Sequence, residues 1–340
     1  MIWTTWRQHR AEACVGALIL AALAAAMLVV GSVARDRARA LGLPECAGAC
    51  GDALGRLHDD FHSIPPFITV LVAIPLVAGM FWAAPLVSRE YEAGTHRLAW
   101  TQSVSPRRWI STKIAVIFGT VAAAALVMGG LATWTLDPLN PAFGGRYNST
   151  WYEIQGLLPV ACILFSLAVG VVASALIRRT IPAMAVTLVT YAVARIPMHW
   201  IRWHFAPLTT RSLAVPLGNL LANPTGAPRD LATSSVPSGA WLRGITLTGP
   251  NGRAIGVDSG NFGVLKDYCP NLQADATRNG VLNPAACAAR VQHLSLHERI
   301  TYQPQSHFWL IQTVESAIFL GLAALLVATA VLCVMHRRPI

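Results

Sequence analysis

Arg195 and Glu315 are charged residues inside long apolar stretches, Arg195 about six residues from the end of the fifth and Glu315 about seven into the sixth. Unpaired charge is expensive in hydrocarbon, so the two are expected to face the bundle and pair, as a structural latch or as part of a substrate path. Other polar chemistry is sparse. The chain has no GxxxxGK[ST] phosphate loop, and with Lys113 and Lys266 the only lysines none can be hidden, so any ATP hydrolysis must come from another subunit. His293 and His297 stand four apart, a helical spacing that puts both on one face, but without an HExxH or a third ligand they read as a surface pair rather than a metal site. His199 and His204 fit membrane-interface positions. Asp258, Asp267, His293, His297 and Glu298 show no reactive arrangement, so neither a catalytic residue nor a metal centre is expected.

The elements that must position Arg195 and Glu315 are membrane helices. Hydrophobic residues make up 54% of the 340 and charged residues 12%, the reverse of a soluble domain, in which about a quarter are charged. Six apolar runs are long enough to cross hydrocarbon, which takes roughly 20 helical residues. They run approximately Ala13–Val33, Phe67–Val87, Ile114–Thr135, Gly156–Ile177, Ile181–Ile201 and Phe308–Met335. Continuous runs favour helices over a barrel, whose strands alternate. The first run follows Arg7 and Arg10 but exceeds a signal-peptide core of about 7–15 residues, so it reads as an uncleaved span.

Basic residues set the orientation. Arg7, Arg10, Arg89, Arg97, Arg107, Arg108, Lys113, Arg178, Arg179, Arg337 and Arg338 crowd one side of the spans, which puts both termini in the cytoplasm. The net charge of +10 is therefore mostly topological, and nucleic acid is not an expected partner. Trp3, Trp6, Trp100 and Trp109 then fall at the inner boundary, and Trp134, Trp151, Trp200, Trp203 and Trp309 at the outer one. The expected fold is an all-α polytopic membrane protein, N-in and C-in, with a small α+β extracellular domain between helices five and six. Residues 1–12 read as an amphipathic elbow, 13–201 as spans one to five, 202–307 as the outer domain, and 308–340 as span six with a cytoplasmic tail.

Within that outer domain, Trp241–Thr248 and Arg253–Asp258 flank Gly249-Pro250-Asn251-Gly252 and read as a hairpin. A helix is expected from Asn283 to about Leu296, and a last strand over Arg299–Gln303. Cys46, Cys50, Cys269 and Cys287 lie outside the spans, an even number in an oxidising compartment; of three possible pairings, Cys46–Cys50 with Cys269–Cys287 is expected. Ser166, Gly170 and Ser174 form a small-residue stripe that permits close helix contact, within the chain or in a dimer.

Between spans two and three, the segment 88–113 is dense in charge. Gly94-Thr95 reads as a helix stop and restart, and Ser105-Pro106 as a cap and first turn, leaving a short amphipathic helix between the two breaks. The run Arg89-Glu90-Tyr91-Glu92-Ala93-Gly94-Thr95, directly after a span, together with six spans, an N-terminal elbow and an external segment before the last span, resembles type-2 ABC-transporter permeases. Tyr302-Gln303-Pro304 through Trp309 and Glu315 resembles actinobacterial members, and the large outer segment resembles the disulfide-bearing one of G-subfamily ABC exporters. The resemblance implies a bacterial plasma-membrane subunit, homodimeric or heterodimeric, working with two copies of an ATP-binding subunit that holds ATP and Mg. It would export a hydrophobic or amphipathic substrate such as a drug, lipid or antibiotic. Arg89, Glu90, Glu92, Gly94, Thr95, Arg97, Arg107 and Arg108 would then form the coupling element that docks on the ATPase. A membrane-anchored sensor or enzyme acting through the outer domain is the alternative; an ion-driven transporter would show inverted repeats and more midplane charge.

Overall fold

A computed structural model describes residues 2–43, 50–94, 106–214, 237, 239–248, 254–255 and 297–336. The chain forms two compact units, residues 1–205 with 308–340 and residues 206–307. The first is helical. In chain order it comprises α1 (Ile2–Ala40), α2 (Gly51–Asp60), α3 (Ile64–Leu71), α4 (Ile74–Ala78), a π-helical turn (Gly79–Ala83), α5 (Ala84–Glu92), α6 (Pro106–Leu136), α7 (Trp151–Ile154), α8 (Leu158–Ile177), α9 (Thr180–Ile201) and α10 (Phe308–His336). Among the described residues, six segments are long and apolar enough to span a membrane, as expected. The first helix departs from expectation at its start, because no glycine or proline interrupts the chain before Gly16 and the elbow over residues 1–12 is continuous with the first span.

The second span is assembled from pieces. Prolines at the starts of α3, α4 and α5 each withhold a backbone N–H and crowd the preceding turn. Before Pro85 the ladder lengthens into the π turn, where the Ala84 N–H bonds to Gly79 O. That turn lies against α8: a Cβ on Gly170 would stand 2.6 Å from Gly79 O and 2.8 Å from the Ala83 Cβ, and one on Gly79 would stand 2.7 Å from Ser166 O. Ser166 and Gly170 of the small-residue stripe are therefore used inside the chain, where they let two backbones touch.

The fourth span, α8, is the hub. It is apolar all round, and 78% of its apolar window is buried, against 6–28% for the other five. Ile163, Leu167, Val171 and Ala175 of α8 meet Val87, Ile110 and Ala330 from three other spans. The tight turn into α9 runs through Arg178, at φ 58°.

Among its described residues the second unit holds a four-stranded antiparallel sheet, ordered β1 (Thr209–Ala214), β4 (His297–Gln303), β2 (Trp241–Thr248), β3 (Ala254–Ile255). β2 and β3 pair antiparallel, with Leu247 opposite Ile255, as the expected hairpin requires; its turn, and the second strand beyond Ile255, lie outside the described residues. β4 begins two residues earlier than expected, so His297 lies in a strand; His293 and the expected helix from Asn283 lie outside the described residues. Strand β1 was not anticipated. Ile300 and Tyr302 of β4 form the sheet's buried face, with Leu213, Leu242 and Ile245 around them. Cys50 is disulfide-bonded, whereas Cys14, Cys162 and Cys333 are free thiols. Cys46, Cys269 and Cys287 lie outside the described residues, so neither expected bridge is shown.

Candidate functional site: a neutral charge cluster at the end of an apolar cavity

The connection between the third and fourth spans turns back into the bundle and brings an extra carboxylate with it. Trp151 and Tyr152 of α7 are fully buried, which corrects the expectation that Trp151 belongs to the interfacial belt; Trp134, Trp200 and Trp309 do face outward. Gln312 of α10 holds the connection in place. Its Nε2 donates to Gln155 O at 2.8 Å and Tyr152 O at 3.2 Å, while its Oε1 accepts from the Leu157 N–H at 3.3 Å. Thr133 Oγ1 accepts from the Gly156 N–H at 2.9 Å. Gly156, at φ 67°, sits where a side chain would strike the Gln312 amide.

Held there, Glu153 joins Arg195, Arg202 and Glu315. The structure brings the sequence-predicted pair together: Arg195 Nη1 donates to Glu315 Oε1. Arg195 Nη2 also meets Glu153 Oε2, and Arg202 Nη2 donates to Glu153 Oε1 at 2.5 Å. Arg202 Nε lies 3.9 Å from Glu315 Oε2, which accepts from the Tyr152 hydroxyl at 2.9 Å. Burial and then the Glu315 carboxylate push the Tyr152 phenol above its ordinary range, so it remains a donor. Two guanidiniums and two carboxylates cancel, which is how ionised groups survive in low dielectric. Glu153 and Arg202 escaped the sequence reading because both lie at or beyond span ends. A signal was available for Arg202, which follows Arg195 by two helical turns and so shares its face.

The cluster does not sit alone. A cavity of about 450 Å³ runs between the first four spans and α9. Leu20, Ile117, Val121, Met128 and Ile163 line it, and its charged lining residues are Glu153 and Arg195. Of the four charged groups these two are the more exposed, at 11% and 14%, against 3% for Arg202 and 0% for Glu315.

The opposite end of the bundle carries the predicted coupling residues. α5 stops at Glu92, and Gly94 adopts a left-handed φ of 69° that ends the helix. α6 begins at Pro106. Thr95 and Arg97, with the short helix expected between the breaks, lie outside the described residues. Arg107 opens α6, and Arg89 and Arg108 are exposed. The acidic residues are engaged within the chain: Glu90 accepts from the Lys113 ammonium, and Glu92 accepts from the Thr180 N–H at 2.9 Å and hydroxyl at 2.8 Å. Glu92 thus caps α9, whose first N–H groups have no helical partner, and Ser88 Oγ reaches the Thr180 hydroxyl at 2.9 Å. Arg178 lies over the Tyr91 ring, 5.1 Å from its centroid.

Five apolar spans packed around a buried sixth, with a cavity and a charge-neutral cluster among them, fit a multi-pass membrane protein, and among the described residues no group of metal-ligating side chains comes together. The chain belongs to the family described as ABC-2 membrane transporter related, whose family model matches residues 17–202. That match takes in five spans, the 88–113 connection, Glu153 and Arg195, and stops at Arg202. No curated protein and no solved structure matches the chain.

Proposed function

We propose that the chain is the transmembrane subunit of an ATP-driven type-2 ABC exporter, moving a hydrophobic or amphipathic molecule outward across a bacterial plasma membrane. The family match over residues 17–202 carries this reading, since it supports a general ABC-type permease role and the usual pairing with an ATP-binding cassette subunit. Two ATP-binding subunits would dock on a permease dimer, and ATP and Mg would be held there.

The contacts at the 88–113 end suggest how force enters. Arg89, Glu90, Glu92, Gly94, Thr95, Arg97, Arg107 and Arg108 would carry the docking surface. Because Glu92 and Ser88 grip Thr180, displacement of α5 would pull the first turn of α9 with it. α9 carries Arg195 near its other end and is followed directly by Arg202, so a rigid-body shift there would be felt by Glu153 and Glu315. Packed interfaces shift between discrete arrangements rather than deforming continuously.

The test is co-purification with an ATP-binding cassette subunit from the same genome, followed by ATPase and transport assays in liposomes. The expected result is permease-dependent ATP turnover. Ala93→Cys should be labelled by an impermeant maleimide only after the cell membrane is opened. Labelling in intact cells, or full transport by the chain without any ATP-binding partner, would overturn the assignment.

A further inference from the structure

The cavity is asymmetric along the bundle. Its walls follow α6 from Val116 to Ala132, roughly 24 Å at 1.5 Å per residue. Gly16, Trp82 and Val116 line the end nearest the 88–113 connection, and a Cβ on Gly16 would touch the Trp82 ring at 3.6 Å. Met27, Ala132, Glu153 and Arg195 line the other end. Thr120 spends its hydroxyl on Val116 O at 2.9 Å, so the long wall offers little to a polar ligand. The volume of about 450 Å³ falls within the span of roughly 300–1,000 Å³ typical of small-molecule sites.

The charge balance narrows the ligand further. Arg195, Arg202, Glu153 and Glu315 already neutralise one another, so a net anion or cation entering beside them would bring an uncompensated charge into low dielectric. A head group that is neutral overall but carries both signs meets no such penalty. Its cation can approach Glu153 while its anion approaches Arg195, the two cluster members that line the cavity.

We propose that this cavity is a binding site within one chain for a single-chain amphiphile with a zwitterionic head, the head at Glu153 and Arg195 and the tail along α6 toward Trp82. The site itself stands on the cavity's shape and charge; only the expectation that its occupant is exported rests on the permease reading.

Native mass spectrometry of the full-length protein, titrated with lysophosphatidylcholine, palmitate or a hexadecyl trimethylammonium salt, tests it without ATP or a partner. One lysophosphatidylcholine per chain is expected, at least about tenfold tighter than either charged probe, given what an unpaired charge costs at this depth. Ala124→Trp, which fills the cavity, should weaken it by at least about tenfold, while Val127→Trp, on an exposed face of the same helix, should not. Glu153→Gln leaves the cluster one positive charge in excess and should shift preference toward palmitate. Equal binding of the three probes, no binding, or binding unchanged in Ala124→Trp would overturn the proposal and leave the permease reading standing. With the ATP-binding subunit present, an exported amphiphile is released on ATP turnover, whereas a resident lipid of the same chemistry stays bound; either supports the site.

Discussion

Replacing Glu315 by glutamine probes the cluster at its most enclosed member. The carboxylate is fully buried and accepts from the Arg195 guanidinium and the Tyr152 hydroxyl, with Arg202 Nε at 3.9 Å. Glutamine fills the same space but leaves Arg195 and Arg202 sharing Glu153 alone, a net charge of one in low dielectric. Breaking a buried pair from one side costs about 3–5 kcal/mol. At roughly 2–4 °C per kcal/mol for a helical body of this size, the melting temperature should fall by about 6–20 °C. The assay is thermal unfolding of detergent-purified protein, followed by size exclusion, for wild type, Glu315→Gln, Arg195→Gln and the double variant. The double variant restores neutrality through Arg202 and Glu153, so it should recover at least about 1 kcal/mol relative to the summed single losses. Additive losses, or single losses below about 1 kcal/mol, would refute the claim that the cluster is held by mutual charge compensation.

Gly170→Val should destabilise by about 1–3 kcal/mol, because the added atoms meet Gly79 O and Ala83, whereas Gly321→Ala, with nothing near it, should shift melting little. Exchanging the charges in Glu90→Lys/Lys113→Glu should restore expression and stability lost in either single variant, since the two side chains pair; failure of the exchange would show that each acts elsewhere. Glu92→Ala should lower the melting temperature through loss of the α9 cap, and permease-stimulated ATPase should fall further than melting predicts if the cap transmits motion. Burial raises the Glu298 carboxyl above its ordinary range. The folded strand therefore holds its proton more tightly than the unfolded one, and stability is greatest below the usual glutamate value, about 4.3, and declines as pH rises through the raised one. Amide exchange across β4, corrected for intrinsic rates, should show that decline, and Glu298→Gln should flatten it.

The six spans were legible in the sequence because crossing hydrocarbon demands about 20 apolar residues in a row, a constraint written along the chain itself. The depth match of Arg195 and Glu315, the pairing of β2 with β3 and the helix stop at Gly94 were legible for the same reason, each being a local pattern. Tertiary structure alone decided what those patterns face. Trp151 reads as an interfacial residue, but its segment is drawn inward by Gln312, and this makes Glu153 a member of the cluster. Glu90 and Glu92 read as free docking charges, yet Lys113 and Thr180, distant in sequence, occupy them. Ser166 and Gly170 were open to a dimer until the π turn before Pro85 claimed them. In each case the missing information was rotational: an apolar run fixes how long a helix is, while the partner of a polar side chain depends on which way that helix is turned and what another segment presents there.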